Sequence, residues 1–599
     1  MRGEKLDRRT SMAIFKRLGK YVLREWPLFL VAIIFTLTSN QLALMGPEYS
    51  GTAIDAISAP GGVVFYGENG VWTNVIKMLV CYVLSALLSY CLAVIMIRLS
   101  QRIVCRMRKQ VFEKLNTLPV GYFDTHPTGD IISHISYDID TINASLSHDL
   151  VQVMTSLYTV IGSLIFMWHI SKPMILVFVI TVPASILFTR YRSKKVRPLF
   201  RERSRKLGEL NGYAEEMLSG CRTISAYGRE DVISDRFNKR NEDAMQAYYR
   251  AEYYGGTLGP SVMFINNLSI SLVAILGGIL YMYSLNGTVA EGTLFFISLG
   301  GVAKFVQYSR KFAGPINEFA NILHEFQSAF SAAERVFRIL DEKPEPLDDP
   351  DACEISKVDG LVEFDKVNFG YIPEKQILND VSIKAESGKT IAIVGPTGAG
   401  KTTVINLLMR FYDADSGEIR LDGIPITKIK RDDLRRAYTM VLQDTWLFYG
   451  TVYDNIVYGK ENATPEEVRA AARAARIDTY IESLPDGYDT VLSDDGVNIS
   501  KGQRQLITIA RAMLSDAPML ILDEATSNVD SRTEIKIQEA MAELMRGRTS
   551  FVIAHRLSTI QNADLILVIK DGTVTERGTH DELLALGGFY STLYNSQFA

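Results

Sequence analysis

Long uncharged stretches constrain this chain more than any other feature. Residues 27–47, 78–97, 150–168, 173–189 and 253–290 carry no Asp, Glu, Lys or Arg. A helix needs about 20 apolar residues to cross the hydrocarbon core of a bilayer. The first four runs each fit one crossing, and 253–290 fits one crossing and a turn. The stretch 292–312 is a sixth candidate, weakened by Lys304. The first run is too long for a signal peptide and no small-residue cleavage site follows it, so it reads as a span. The expectation is six spans.

Cations then orient the spans. Lys16, Arg17, Lys20 and Arg24 precede the first; Arg98, Arg102, Arg106, Arg108 and Lys109 follow the second; Arg190, Arg192, Lys194, Lys195 and Arg197 follow the fourth. The connections 48–72, 169–172 and 284–291 hold only Lys172 between them. Cations favour the cytoplasmic side, which places both termini inside. Residues 11–25 mix Phe15, Leu18, Val22 and Leu23 with cations. They read as an amphipathic helix along the inner surface or as an ordinary solvated one. The charged segments 98–149 and 190–256 are too long for turns. The spanning helices are therefore expected to continue into the cytoplasm as two long hairpins.

Beyond residue 340 the composition is that of a soluble α/β protein. The net charge of −4 gives no reason to expect a nucleic-acid partner. Five scattered cysteines contain no CxxC pair, which argues against zinc and against a disulfide framework. The acidic, Pro-rich stretch 341-DEKPEPLDDPDA-352 reads as a boundary. The expected organisation is a helical membrane domain over 1–340, a linker over 341–358 and an α/β nucleotide-binding domain over 359–599.

Two motifs carry chemistry in the soluble half. In 390-TIAIVGPTGAGKTTVINLLMRFY-412 an apolar strand enters a Gly-rich loop and leaves as a helix. That context makes GxxxxGK[ST] a phosphate cradle. Gly395, Gly398 and Gly400 let the backbone curl around phosphate oxygens, and the helix start adds a favourable dipole. Thr397, Ala399 and Thr403 complete the loop. Lys401 brings a cation to the outer phosphates and Thr402 a hydroxyl to Mg²⁺. In 519-MLILDEAT-526 a buried-type strand ends in two acids. Asp523 suits Mg²⁺, and Glu524 stands where a carboxylate polarises an attacking water. A strand-end acid alone is as often structural; the loop upstream favours the functional reading.

These motifs, with 498-NISKGQRQ-505 between them and six spans before them, resemble an ATP-binding cassette (ABC) transporter over nearly the whole chain. The resemblance is greatest to bacterial exporter-type half-transporters. It implies ATP and Mg²⁺ as cofactors. It implies that Tyr371 stacks on adenine, that Gln443 senses Mg²⁺, and that His555 contacts the γ-phosphate. Asp530 falls in the loop that touches the partner's site, where Asn528-Val529 replaces the family's usual Ala-Leu. The family's signature closes over ATP held by a second nucleotide domain, so two chains are required. The stretches 121-GYFDTHPTGDIISHISYDID-140 and 216-EMLSGCRTISAYGRE-230 resemble its coupling tips. The first docks on its own or the partner's nucleotide domain, the second on the partner's.

The signature departs from Leu-Ser-Gly-Gly-Gln at Ile499 and Lys501. Ser500, Gly502 and Gln503 remain as phosphate-facing groups. A side chain at 501 costs little if its φ is negative. An intact hydrolytic set beside an altered signature resembles one chain of a heterodimeric multidrug exporter. The implied function is ATP-driven export of hydrophobic or amphipathic compounds by alternating access across the cytoplasmic membrane. Asn40, Gln41, Asn266, Asn267, Phe295, Phe296, Phe305 and Gln307 are candidate cargo contacts, with helix packing an equal explanation. The alternatives are a homodimeric lipid or peptide exporter, a micronutrient importer on the same fold, and an ATP-gated sensor without cargo.

Overall fold

The computed structural model describes residues 8–597 except 60–61, 291, 356, 444, 493–498, 524–529 and 555–556. It divides into two compact units. One comprises the chain up to Thr117 together with Pro127–Glu342; the other comprises Leu118–His126 and the chain from Lys343 onward.

The first unit is helical. Among the described residues, five helical stretches are long and apolar enough to cross a membrane: Trp26–Ile57, Val71–Leu115, Thr128–Ile170, Lys172–Ser219 and Glu230–Leu285. The helix Lys172–Ser219 has 48 residues. At 1.5 Å per residue it runs about 72 Å, against about 30 Å of hydrocarbon. More than half of it therefore stands in water, as the charged hairpins require. Helix Arg8–Arg24 precedes the first span, with Ile14, Leu18 and Val22 buried along one face and Phe15 and Leu23 exposed.

The sixth helix, Leu299–Asp341, is present but starts later than the apolar run and is more polar. It is not among the five. Its Lys304 is accommodated by an ion pair to Glu48 at 2.6 Å. Nearby, Asp55 accepts from the Gly300 amide (2.7 Å) and the Ser298 hydroxyl (3.0 Å). A Cβ on Gly300 would lie 2.0 Å from the Gly51 carbonyl, so glycine permits the close approach of first and last helices. Tyr308 donates to the Leu44 carbonyl at 2.7 Å and stacks on Phe166. Phe305, expected among the cargo contacts, is fully buried in this core beside Phe178. Asn40, Gln41 and Gln307 are engaged with Thr36 and Thr155, Tyr158, and Ser50 respectively. Packing explains them as it explains polar residues between membrane helices generally.

Among the described residues the second unit has two larger sheets and a two-stranded one, Gly450–Thr451 with Val491–Leu492. Strands Val362–Phe369, Leu378–Ala385, Ser416–Leu421 and Ile424–Pro425 form an antiparallel larger sheet. The other larger sheet runs, in spatial order, Thr573–Gly578, Leu565–Lys570, Thr390–Val394, Thr549–Ile553, Met519–Asp523 and Tyr438–Val441. All its pairings are parallel except that of the edge strand Thr573–Gly578. Its central strands read as apolar runs because both faces are covered.

From Lys343 onward the acidic stretch read as a boundary belongs to this unit, as a clamped strap. Arg431, whose side chain is 7% exposed, pairs with Asp348 and Asp413, and Arg435 holds Glu345. Three carboxylates thus neutralise guanidinium groups that would otherwise be costly to bury.

Candidate functional site

Ligands in open parallel sheets bind beyond the carboxyl ends of the strands. Register puts Ile393, Ile553 and Asp523 in line across three adjacent strands, so the phosphate loop and Asp523 leave the sheet at the same edge. The loop's path depends on glycine. Gly398 and Gly400 have φ of +82° and +105°. A Cβ on Gly400 would lie 2.7 Å from Leu378 Cδ2, and one on Gly395 only 2.1 Å from the Ile569 carbonyl. Helix Lys401–Leu408 begins directly after Gly400. Its unpaired N–H groups make an anion site.

Lys401 Nζ donates to the carbonyls of Gly395 (2.9 Å) and Pro396 (3.0 Å), across the mouth of its own loop. Burial lowers its pKa and the Asp523 carboxylate opposes that shift, which places cation and carboxylate within electrostatic reach. Lysine, threonine hydroxyl, carboxylate and helix amides form a donor set suited to phosphates and a hard divalent cation. The residues present therefore fit ATP and Mg²⁺. Thr402 and Asp523 are the groups that would hold the metal, which neutralises phosphate charge when bound.

Tyr371 belongs to the same neighbourhood. Its hydroxyl donates to Thr403 Oγ1 at 3.3 Å and accepts from Asn406 Nδ2 at 3.0 Å, both on the helix after the loop. Tyr371 is 45% exposed. Gln443 lies exposed just past the strand Tyr438–Val441. Glu524, His555 and Asn528-Val529 lie outside the described residues.

The signature forms a helix start. Ser500 caps helix Lys501–Ser515: its Oγ accepts from the Gln503 amide (3.3 Å) while its own amide donates to Gln503 Oε1 (2.9 Å). An accepting hydroxyl keeps its proton free to donate elsewhere. Lys501 is the first helical residue, exposed, and is not among the residues with positive φ. Ile499 is buried in the same core cluster as Leu506, so it fills an apolar site as leucine does. Asp530 caps the helix Ser531–Met545 by accepting from the Thr533 amide at 2.9 Å.

Comparison with known proteins gives the family. Residues 29–299 match the family described as ABC transporter transmembrane region, and residues 378–527 the one described as ABC transporter. The uncharacterised ABC transporter ATP-binding protein YfiC of Bacillus subtilis is 40% identical over 97% of this chain and 94% of its own length. The chain belongs to the ABC transporter family. The fatty acid ABC transporter ATP-binding/permease protein of Mycobacterium tuberculosis is 44% identical over 86% of the chain and 79% of its own length. An ATP-dependent lipid A-core flippase of Hahella chejuensis is 34% identical over 98% and 97%. A solved bacterial Atm1-family ABC exporter with ATP bound superposes with a TM-score of 0.75 at 28% identity, covering 96% of this chain and 98% of that one.

This ABC transporter is therefore a multi-pass membrane ATPase that couples hydrolysis to transport and acts with a dimer partner. Two residues of consequence went unremarked in the sequence. Arg511 donates to the Asn455 and Trp446 carbonyls and lies between Phe448 and Tyr458, tying the stretch after Gln443 to the signature helix. Tyr412 packs edge-on to Tyr371, with ring centroids 5.0 Å apart. Tyr412 only closes the stretch 390–412 and Arg511 lies within the signature helix; their packing partners, not a motif position, mark them.

Proposed function

We propose that the chain is half of a dimeric exporter that moves long-chain amphipathic compounds across the cytoplasmic membrane, with both termini and the nucleotide-binding domain inside. The membrane domain occupies 1–340 with six spans, followed by a linker over 341–358 and the nucleotide domain over 359–599. What carries the cargo class is that relatives covering most of this chain are named for fatty acids and for lipid A cores. The multidrug reading of the motifs has no comparable support.

In this reading Lys401 and the loop amides hold the phosphates and Thr402, Gln443 and Asp523 hold Mg²⁺. Tyr371 stacks on adenine. Glu524 polarises the attacking water and His555 steadies the γ-phosphate. Ser500, Gly502 and Gln503 close over the nucleotide of the other chain, and that closure drives the spans from inward to outward access. Lys501 favours a second reading of the dimer, in which the partner is a chain of different sequence.

The chain is tested in sealed proteoliposomes with a spin-labelled palmitate and with a cationic drug such as ethidium. ATP-dependent flipping of the fatty acid, with ATPase stimulation, is the expected result. Movement of ethidium alone would restore the multidrug reading, and ATPase without movement of either would indicate a sensor. Glu524→Gln should slow turnover at least about 100-fold while ATP still binds; unchanged turnover removes Glu524 from its role.

A further inference from the structure

One short segment of the first cytoplasmic hairpin, Leu118–His126, belongs to the compact unit that holds the nucleotide loop. Its helix Val120–Thr125 is flanked by Pro119 and Pro127, and Tyr122 stacks on His126 with centroids 4.2 Å apart. Proline fixes φ at both ends of the turn, at −66° and −57°. The side chain of Tyr412, four residues past the phosphate-loop helix Lys401–Leu408, reaches it. Tyr412 donates its hydroxyl to Asp124 Oδ2 at 2.5 Å. A Cβ on Gly121 would lie 2.9 Å from the same ring, so glycine lets the tyrosine sit against the turn's backbone.

The other face of Tyr412 meets the nucleotide side. It stands at 86° to Tyr371, and Phe369 backs both rings at 5.0 and 5.6 Å. Tyr371 is in turn pinned to Thr403 and Asn406. Burial and the Asp124 carboxylate raise the Tyr412 pKa well above the ordinary tyrosine range, so its hydroxyl stays a donor at any physiological pH.

We propose that Tyr412 is a positioning residue that passes the occupancy of the Tyr371 ring to the turn 118–126. A base stacked on one face of Tyr371 fixes that ring's tilt. Its edge-on neighbour is fixed with it, and the hydrogen bond to Asp124 carries the constraint to the hairpin. The turn then responds to the base of the nucleotide and not to its phosphates alone. This inference rests on the reading of Tyr371 as the adenine platform.

Hydrogen–deuterium exchange of the full-length protein in nanodiscs tests it, with Mg·ATP and with Mg·triphosphate, which has phosphates but no base. In the wild type, saturating ATP should slow exchange across 118–126 at least fivefold, and triphosphate less than twofold. Tyr412→Phe keeps the ring and removes the donor. It should bind ATP within about twofold of wild type, yet lose the ATP-dependent protection. Asp124→Ala should do the same, and Asp124→Asn, which retains an accepting oxygen, should recover most of the protection. Asp124→Ala also serves if Tyr412→Phe fails to fold. Equal protection by triphosphate and ATP overturns the proposal, as does full protection in Tyr412→Phe. Loss of ATP affinity in that variant overturns it too, by making Tyr412 a binding residue. The platform reading fails separately, if Tyr371→Ala binds ATP as tightly as wild type.

Discussion

The phosphate loop and the signature lie in one compact unit but are finished in different ways. The loop is completed by its own chain: Lys401 bridges its carbonyls, Asp523 acts on that lysine, and Tyr371 is bonded to the following helix. At the signature, Ser500 and Gln503 bond to each other and no hydrogen bond among the described residues joins them to the loop. One stretch is a nearly finished binding site. The other is a capped helix start with a hydroxyl proton to spare, suited to a nucleotide held elsewhere. Finishing one site within a chain and leaving the other open is what a paired ATPase needs.

Removing the cation should have the largest effect. Lys401→Ala deletes a charge-assisted hydrogen bond to phosphate, worth about 1.5–3 kcal/mol, so ATP affinity should fall on the order of 100-fold. Equilibrium binding of a fluorescent ATP analogue measures it. Affinity within threefold of wild type would mean that the loop does not hold the outer phosphates.

Ser500→Ala should leave ATP binding intact and lower turnover about tenfold. Part of the loss comes from the cap, worth about 1 kcal/mol, and part from the missing donor. Mixing sharpens the contrast between the two stretches. A dimer of one Lys401→Ala chain and one Ser500→Ala chain contains one composite site with both groups intact. Co-reconstituted variants should therefore regain up to about a quarter of wild-type ATPase if two copies of this chain pair. Absence of any regain, with both variants folded, would assign the partner to a different sequence.

These two stretches also differ in how legible they were. The strand, loop and helix of 390–412 announce themselves, because few sequences place three glycines and a lysine between an apolar strand and a helix. A side chain at 501 is tolerable on condition of a negative φ, and Lys501 is not among the positive-φ residues; the Ser-x-x-Gln of the capping box stands in the sequence but was not recognised there as a cap. Its Ser and Gln were read only as phosphate-facing groups. In the membrane unit, charge placement and length sufficed for the helices and their extensions. The sixth helix was blurred by Lys304 because its neutralising partner, Glu48, is 256 residues away. For the same reason Phe305 was misplaced: which face of an apolar helix meets a core depends on partners distant in sequence. Tyr412 and Arg511 were missed because their importance is entirely relational.

Tyr371→Ala should raise the KM for ATP about fivefold with kcat nearly unchanged, since base–aromatic stacking contributes about 1–3 kcal/mol and part of the platform survives in Phe369. The same variant should discriminate less between ATP and triphosphate. A kcat loss without a KM change would instead make the ring part of the chemistry.

Lys501→Gly should have the smallest effect, and it bears directly on whether the signature is impaired. The lysine sits at the first helical position with its side chain exposed, so glycine restores the common family sequence without altering the cap. Its cost to the helix is below about 1 kcal/mol, because the residue lies at the end and not the interior. If Lys501 merely occupies a tolerant position, steady-state ATPase should stay within about twofold. A rise of tenfold or more would show that the side chain holds the signature away from phosphate, and would favour a dimer whose second chain supplies the better signature.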